Sequence, residues 1–153
     1  MNNTISAYAA GIFDGEGYVD IYQATLSKAS KNRSLYVRVI ISQKDGKVMN
    51  WLQDNFGGYV RKEKRNKNYI YRWSIASKSA SKFLSTIYPF LVIKKEQAKL
   101  TIQFEETKGK YLNTLKGHQG FRKLSNEEVL DRIKIKDKLK ELKKKYTPYI
   151  EKV

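Results

Sequence analysis

Apolar positions along the chain recur first with a helical period, then with a period of two, and the switches mark the elements. Ile5, Tyr8, Ala9, Ile12 and Phe13 fall at i, i+3, i+4, i+7 and i+8, which predicts a short helix over Thr4–Phe13. Asn3 or Thr4 can cap its start. Two glycines within Asp14-Gly15-Glu16-Gly17 predict that it stops there. Strict alternation then predicts a strand over Tyr18–Thr25 and a clearer one over Leu35–Gln43, joined by a polar loop from Leu26 to Ser34. The stripe Val48, Trp51, Leu52 and Phe56 predicts a helix over Asp45–Phe56, closed by Gly57-Gly58. A hairpin follows, with strands Tyr59–Lys64 and Tyr69–Ile75 around a turn at Arg65–Asn68. Helices are expected over Ser79–Ile87 and, after the break at Pro89, over Val92–Lys108. Gly109 to Leu124 reads as a loop. Ser125-Asn126-Glu127-Glu128 has capping-box spacing and opens a last helix through Lys145, striped by Ile135, Leu139, Leu142 and Tyr146.

This order implies an α+β fold: an antiparallel four-stranded sheet with helices packed on one face, α-β-β-α-β-β-α, plus an additional C-terminal helix. Residues 1–108 are expected to form the core, with 109–153 as an accessory loop and basic helix of the same domain. Helices on one side leave the other sheet face open. Val19, Ile21, Val37, Val39 and Ile41 point to the core, and the opposite positions carry Asp20, Tyr22, Tyr36, Arg38, Tyr59, Arg61 and Arg72. Arginine pairs bidentately with guanine, tyrosine donates, accepts or stacks, and aspartate accepts from cytosine. Such a face suits the reading of base edges better than the Lys, Glu and Thr of an ordinary solvated surface.

Charge strengthens that picture. Lys and Arg number 31 against 15 acids, a net charge of +16, which favours encounter with a polyanion. The chain has no cysteine, so disulfides and thiolate metal sites are excluded. Its one histidine, His118, lies in a Gly-flanked segment and rules out chemistry that needs clustered imidazoles. No run of 18 apolar residues exists and no signal peptide is evident, so no membrane association and an intracellular, soluble protein are expected; nucleus, organelle and prokaryotic cytoplasm remain open.

The first helix carries a second pattern beside its apolar stripe. Ala7, Gly11 and Gly15 recur every four residues, leaving one face nearly bare, so two such helices can approach closely. Each would bring one acidic turn to a shared centre. Taken alone, Asp-Gly-Glu-Gly also fits a calcium-binding turn. The ten residues Tyr8 to Gly17, YAAGIFDGEG, closely resemble the LAGLIDADG motif of the homing endonucleases. Ala10 and Gly11 stand as its small residues, Ile12 and Phe13 as its apolar pair, and Asp14 to Gly17 as its acidic turn. Ala9 replaces a larger apolar residue. The element order through about Phe104 and the segment Pro89-Phe90-Leu91-Val92-Ile93-Lys94-Lys95 are also similar to the family.

The resemblance implies a site-specific DNA endonuclease, acting as a homodimer with a dimer interface of Ala7, Ala10, Gly11 and Asp14. It would make a double-strand break in a long, pseudo-palindromic duplex. The implied cofactor is Mg2+, with Mn2+ able to substitute. Glu16 and the carbonyl of Gly15 are the implied metal ligands, Gln43 the residue that orders water at the scissile phosphate, and Lys94 the basic catalytic residue, with Lys95 a rival one position on. Lys47 would assist less directly, and Asp14 would serve structurally. Gln43 could instead cap the helix that starts near Asp45. The implied DNA contacts are the face residues named above together with Ile40, Lys44, Arg65, Ile70 and, on the loop, Lys28 and Arg33. Alternatives on the same scaffold are a DNA-binding regulator that does not cut and an RNA maturase, for which RNA would be the partner. The lysines of the last helix suit phosphate contact or a solvated helix covering the core.

Overall fold

The computed structural model describes residues 2–25, 33–112 and 125–144. Lys28, His118, most of the two long loops predicted around them, and the predicted helix end at Lys145 and Tyr146 lie outside these residues. Among the described residues five α-helices and four strands follow the expected order: α1 Asn3–Glu16, β1 Gly17–Thr25, β2 Arg33–Gln43, α2 Gly46–Phe56, β3 Tyr59–Arg65, β4 Asn68–Ala76, α3 Ser77–Ile87, a 3-10 turn at Tyr88–Phe90, α4 Lys95–Leu112 and α5 Asn126–Lys144. The strands form one antiparallel sheet in the order β1-β2-β4-β3.

Alternation along the strands sorts side chains as expected. Val19, Ile21, Val37, Val39, Ile41, Trp73 and Ile75 are buried beneath the helices, together with Phe13, Leu52, Phe83, Leu84, Ile87, Phe104 and Leu139. Phe83 gathers the aromatic centre, with edge contacts to Phe13, Phe56 and Trp73. The Trp73 indole donates to the Gly57 carbonyl at 2.8 Å, so the buried N–H is satisfied. Gly57 and Gly58 both have positive φ, at 73° and 89°, and a Cβ at Gly58 would sit 2.7 Å from the Ser74 carbonyl. α5 packs beside α4 and the free edge of β1. Ser125 accepts from the Glu128 N–H, as its capping-box spacing predicts, and Glu128 pairs with Arg132 in the buried seam.

Several boundaries differ from the sequence expectation. α1 does not stop at Asp14; it runs through Gly15 to Glu16, and its cap is Asn2, which accepts from the Thr4 N–H. α4 begins at Lys95 rather than Val92, because the Val92, Ile93 and Lys94 amides are turned to Asp14. It also continues through Gly109–Leu112, which the glycine had placed in a loop. The hairpin turn is tighter than four residues: Arg65 pairs with Asn68, and Asn66 takes a φ of 53°, tolerated by asparagine. α2 is capped by Asp45, whose carboxylate accepts from the Lys47 N–H at 2.8 Å, so Gln43 is not needed for that role.

Candidate active site and nucleic-acid face

Glu16 is the last residue of α1 and is exposed. The chain turns sharply after it, since a Cβ at Gly17 would lie 2.5 Å from the Phe13 carbonyl and closer still to its ring; only glycine fits. Two reciprocal caps hold this corner. The Asp14 carboxylate accepts from the N–H groups of Val92 at 2.8 Å, Ile93 at 3.2 Å and Lys94 at 2.9 Å, a cap for the start of α4 supplied from another helix. In return the Lys94 ammonium donates to the carbonyls of Phe13 at 2.9 Å and Asp14 at 2.6 Å, closing the C-terminal end of α1. Burial pushes the Lys94 pKa below its ordinary value, against the raising pull of Asp14 and Glu16. Lys95 points elsewhere, its ammonium 5.2 Å from the centre of the Tyr88 ring. The geometry therefore brings Lys94, not Lys95, to the acidic corner.

Gln43 closes β2 beside Glu16, and Ala7, Gly11, Gly15, Glu16 and Gln43 line one shallow groove of about 390 Å³. On its other side Glu16 and Gln43 share an open depression of about 500 Å³ with Ser42, Lys44, Arg65 and Ile70. Ala7, Gly11 and Gly15 are exposed, and among the described residues nothing beyond the helix's own backbone and the chain neighbours lies within 4 Å of where a Cβ would stand on Gly11 or Gly15. Two residues expected at this interface are placed otherwise. Ala10 is fully buried in the chain's own core, because it sits a quarter-turn from Gly11 toward the sheet. The Asp14 carboxylate is turned inward to the start of α4. The free face is thus the every-fourth-residue stripe alone, flanked by Tyr8, whose ring meets Trp51 edge-on at 4.9 Å.

The open sheet face gathers the predicted side chains by strand pairing. Asp20 lies opposite Arg38, Tyr22 opposite Tyr36, Tyr18 opposite Ile40, Arg61 opposite Arg72 and Tyr59 opposite Ser74. Two arginines are held by carboxylates: Arg38 by Asp20, and Arg72 by Glu63 at 3.1 Å. The Asp20 hydrogen bond also raises the Arg38 pKa. Arg33 opens β2 in register with Thr25. Lys28 is outside the described residues.

Three members of this face were not among the expected base contacts, although alternation puts Tyr18 beside Asp20 and Tyr22 and Lys143 is one of the last helix's lysines. Glu63 follows from the same alternation as Tyr59 and Arg61. Tyr18, exposed to 48%, shares its face with Asp20 and Tyr22. Lys143 carries no local signal; it reaches over the β1 edge from α5, 4.0 Å from the centre of the Tyr18 ring, and burial lowers its pKa.

Among the described residues no helix is long and apolar enough to cross a membrane. No curated protein matches the chain. Solved structures do. The homing endonuclease I-CvuI, in complex with an I-CreI DNA target in the presence of magnesium and with that DNA not cleaved, is similar over 97% of this chain and 87% of its own, at a TM-score of 0.72 and 19% identity. The archaeal intron-encoded homing endonuclease I-Vdi141I, complexed with DNA, is similar over 90% of this chain and 98% of its own, at a TM-score of 0.59 and 17% identity. The meganuclease I-SmaMI, bound to uncleavable DNA, covers 86% of this chain with only 42% of its own length, at a TM-score of 0.66 and 14% identity. At such identities the likeness is one of fold. The sequence model of the LAGLIDADG endonucleases, however, matches residues 9–104, from the motif helix α1 into α4, and with one copy of the motif on that fold this chain belongs to the LAGLIDADG endonuclease family.

Proposed function

We propose that the chain is a site-specific DNA endonuclease that works as a homodimer and makes a metal-dependent double-strand break in a long, pseudo-palindromic target. The observation that carries this reading is the bare face of α1, which leads directly to exposed Glu16. A glycine inside a helix costs about 1 kcal/mol relative to alanine. Among the described residues nothing requires one at Gly11 or Gly15. A second copy laid along the same face requires both, and a two-fold axis there brings the two Glu16 side chains to one centre.

The donor chemistry fits a divalent ion at that centre. Magnesium takes oxygen ligands, usually one or two carboxylates completed by water and phosphate. Among the described residues no three His, Cys, Asp or Glu side chains converge in one chain. Glu16 and the Gly15 carbonyl from each copy, with the phosphate, make a suitable set. When bound, the ion supplies positive charge against the negative charge that develops on the phosphate, and manganese, with the same taste for oxygen, substitutes. The protein's part is positioning. The Asp14 and Lys94 caps fix the turn that presents Glu16, and the Gln43 amide, which both donates and accepts, orders water beside it. Lys44 and Arg65, in the adjoining depression, meet the DNA backbone. The two sheets lie in flanking major grooves, where Tyr22, Tyr36, Arg38, Ile40, Tyr59, Arg61, Ile70 and Arg72 face base edges. Residues 1–108 and 109–153 act as one domain, a reading supported by Leu139 of α5 in the common core. The DNA complexes of I-CvuI and I-Vdi141I support the choice of duplex DNA as partner.

Cleavage selection tests this reading. Purified protein with magnesium is given a pool of randomised duplexes, and cut ends are sequenced. Double-strand breaks at one near-palindromic sequence are expected. Glu16→Gln is expected to bind that sequence as the wild type does, with cutting at least about a hundredfold slower. Undiminished cutting by Glu16→Gln removes the metal assignment. Binding without cutting by the wild type makes the chain a regulator.

A further inference from the structure

Asp20 and Arg38 face one another directly across β1 and β2. Arg38 donates twice to the carboxylate, from Nε to Oδ1 at 3.3 Å and from Nη2 to Oδ2 at 2.9 Å. Its guanidinium also lies over the Tyr22 ring, 4.2 Å from the centroid, and that ring rests on Tyr36 at 5.3 Å. The side edge of the guanidinium is therefore occupied and one of its planes is covered. The end edge, formed by Nη1 and the second hydrogen of Nη2, has no hydrogen-bond partner among the described residues.

That end edge is a pair of parallel N–H donors, the pattern that matches O6 and N7 of guanine in the major groove. A clamped arginine also has less rotamer freedom left to lose on binding than a free one. Both Asp20 oxygens are engaged by Arg38, so the carboxylate already has a part in holding the guanidinium. We infer that Asp20 is a positioning residue, which holds Arg38 against Tyr22 so that Arg38 reads one guanine in each half-site. This rests on the DNA-cutting reading above and adds to it the base and the residue that enforces it. Arg72 supplies an internal contrast. Glu63 stands opposite Ile70, not opposite Arg72, so that pair is diagonal; it is made through Nη1, and the Arg72 Nε has no hydrogen-bond partner among the described residues. Arg72 is less constrained and discriminates less sharply.

A binding selection on randomised duplexes, sequencing what the full-length protein retains, separates the roles without depending on cleavage. The wild type enriches guanine at one symmetry-related position per half-site. Arg38→Ala reduces that preference about tenfold or more. Asp20→Ala reduces it at the same position to a similar degree, while binding to a fixed duplex of unrelated sequence stays equal or strengthens, because a negative charge has left the face. The double variant loses no more than Arg38→Ala alone, since Asp20 acts through the arginine. Asp20→Asn, which keeps the volume, loses the preference as well and guards against a folding defect. An intact guanine preference in Asp20→Ala and Asp20→Asn, or a change at a different position from that of Arg38→Ala, overturns the inference alone. A wild type that enriches no sequence overturns the DNA-cutting reading and this inference with it.

Discussion

The acidic corner and the open sheet face hold their polar groups by different means. At the corner, side chains grip backbone: Asp14 takes three N–H groups of residues 92–94, and Lys94 takes two carbonyls of residues 13–14. On the sheet, side chains grip side chains of a neighbouring strand, Asp20 with Arg38 and Glu63 with Arg72. Backbone partners are present whatever residues surround them, so the corner has one geometry and few substitutes. The sheet pairs sit on a scaffold that hydrogen-bonds itself through β1, β2, β3 and β4, and can be exchanged without disturbing it. The difference separates a part with one fixed geometry from a part whose pairs can be exchanged; on the proposed function, the first would serve the chemistry and the second the sequence being read.

The comparison breaks most readily at Asp14. Asp14→Ala strands three donors at the start of α4 and frees Lys94 from its counter-charge, with an expected loss of about 3 kcal/mol. Urea unfolding would show a lowered midpoint at unchanged slope, and cleavage would fall with it. A midpoint equal to wild type would mean that packing alone fixes the corner. Next in size is Lys94→Met, which keeps much of the side-chain volume but takes the ammonium donor from the Asp14 carbonyl and leaves the Phe13 carbonyl with the Gly17 N–H alone. A loss of about 1–2 kcal/mol is expected, with cleavage rates reduced more than DNA affinity. Affinity and rate reduced equally would instead make Lys94 a DNA contact. Gly11→Leu has the smallest effect on the chain itself. Among the described residues nothing beyond the helix's own backbone crowds a Cβ there, and leucine favours the helix over glycine by under about 1 kcal/mol, so stability per chain holds or rises. Sedimentation should nevertheless show the dimer replaced by monomer, and an unchanged dimer mass would place the interface elsewhere.

Much of this arrangement was legible in the order of residues. The two faces of β1 and β2 follow from alternation alone, which is why Asp20, Tyr22, Tyr36 and Arg38 fall on one surface as expected. The corner was legible only in part. Asp-Gly-Glu-Gly reads locally as a stop, because two glycines weaken a helix. Contacts from residues some 80 positions away carry α1 one turn further. Lys94 and Lys95 are equivalent by composition, and only the course of the chain before α4 directs the first to the acidic turn and the second to Tyr88. The resemblance placed Ala10 at the helix interface, yet the rotation of α1 on the sheet turns it into the core.

By itself the sequence determined periodicity, and with it the strands, the helices, which sheet side is apolar, and the family motif on the first helix. These are local properties, since a side chain's direction along a helix or strand depends on its position in the repeat. The tertiary structure decided where α1 ends, which lysine meets it, which small residues remain exposed, and that Asp20 faces Arg38. Those depend on helix rotation, strand register and long-range caps, which arise only when distant segments pack and must satisfy each other's backbone groups.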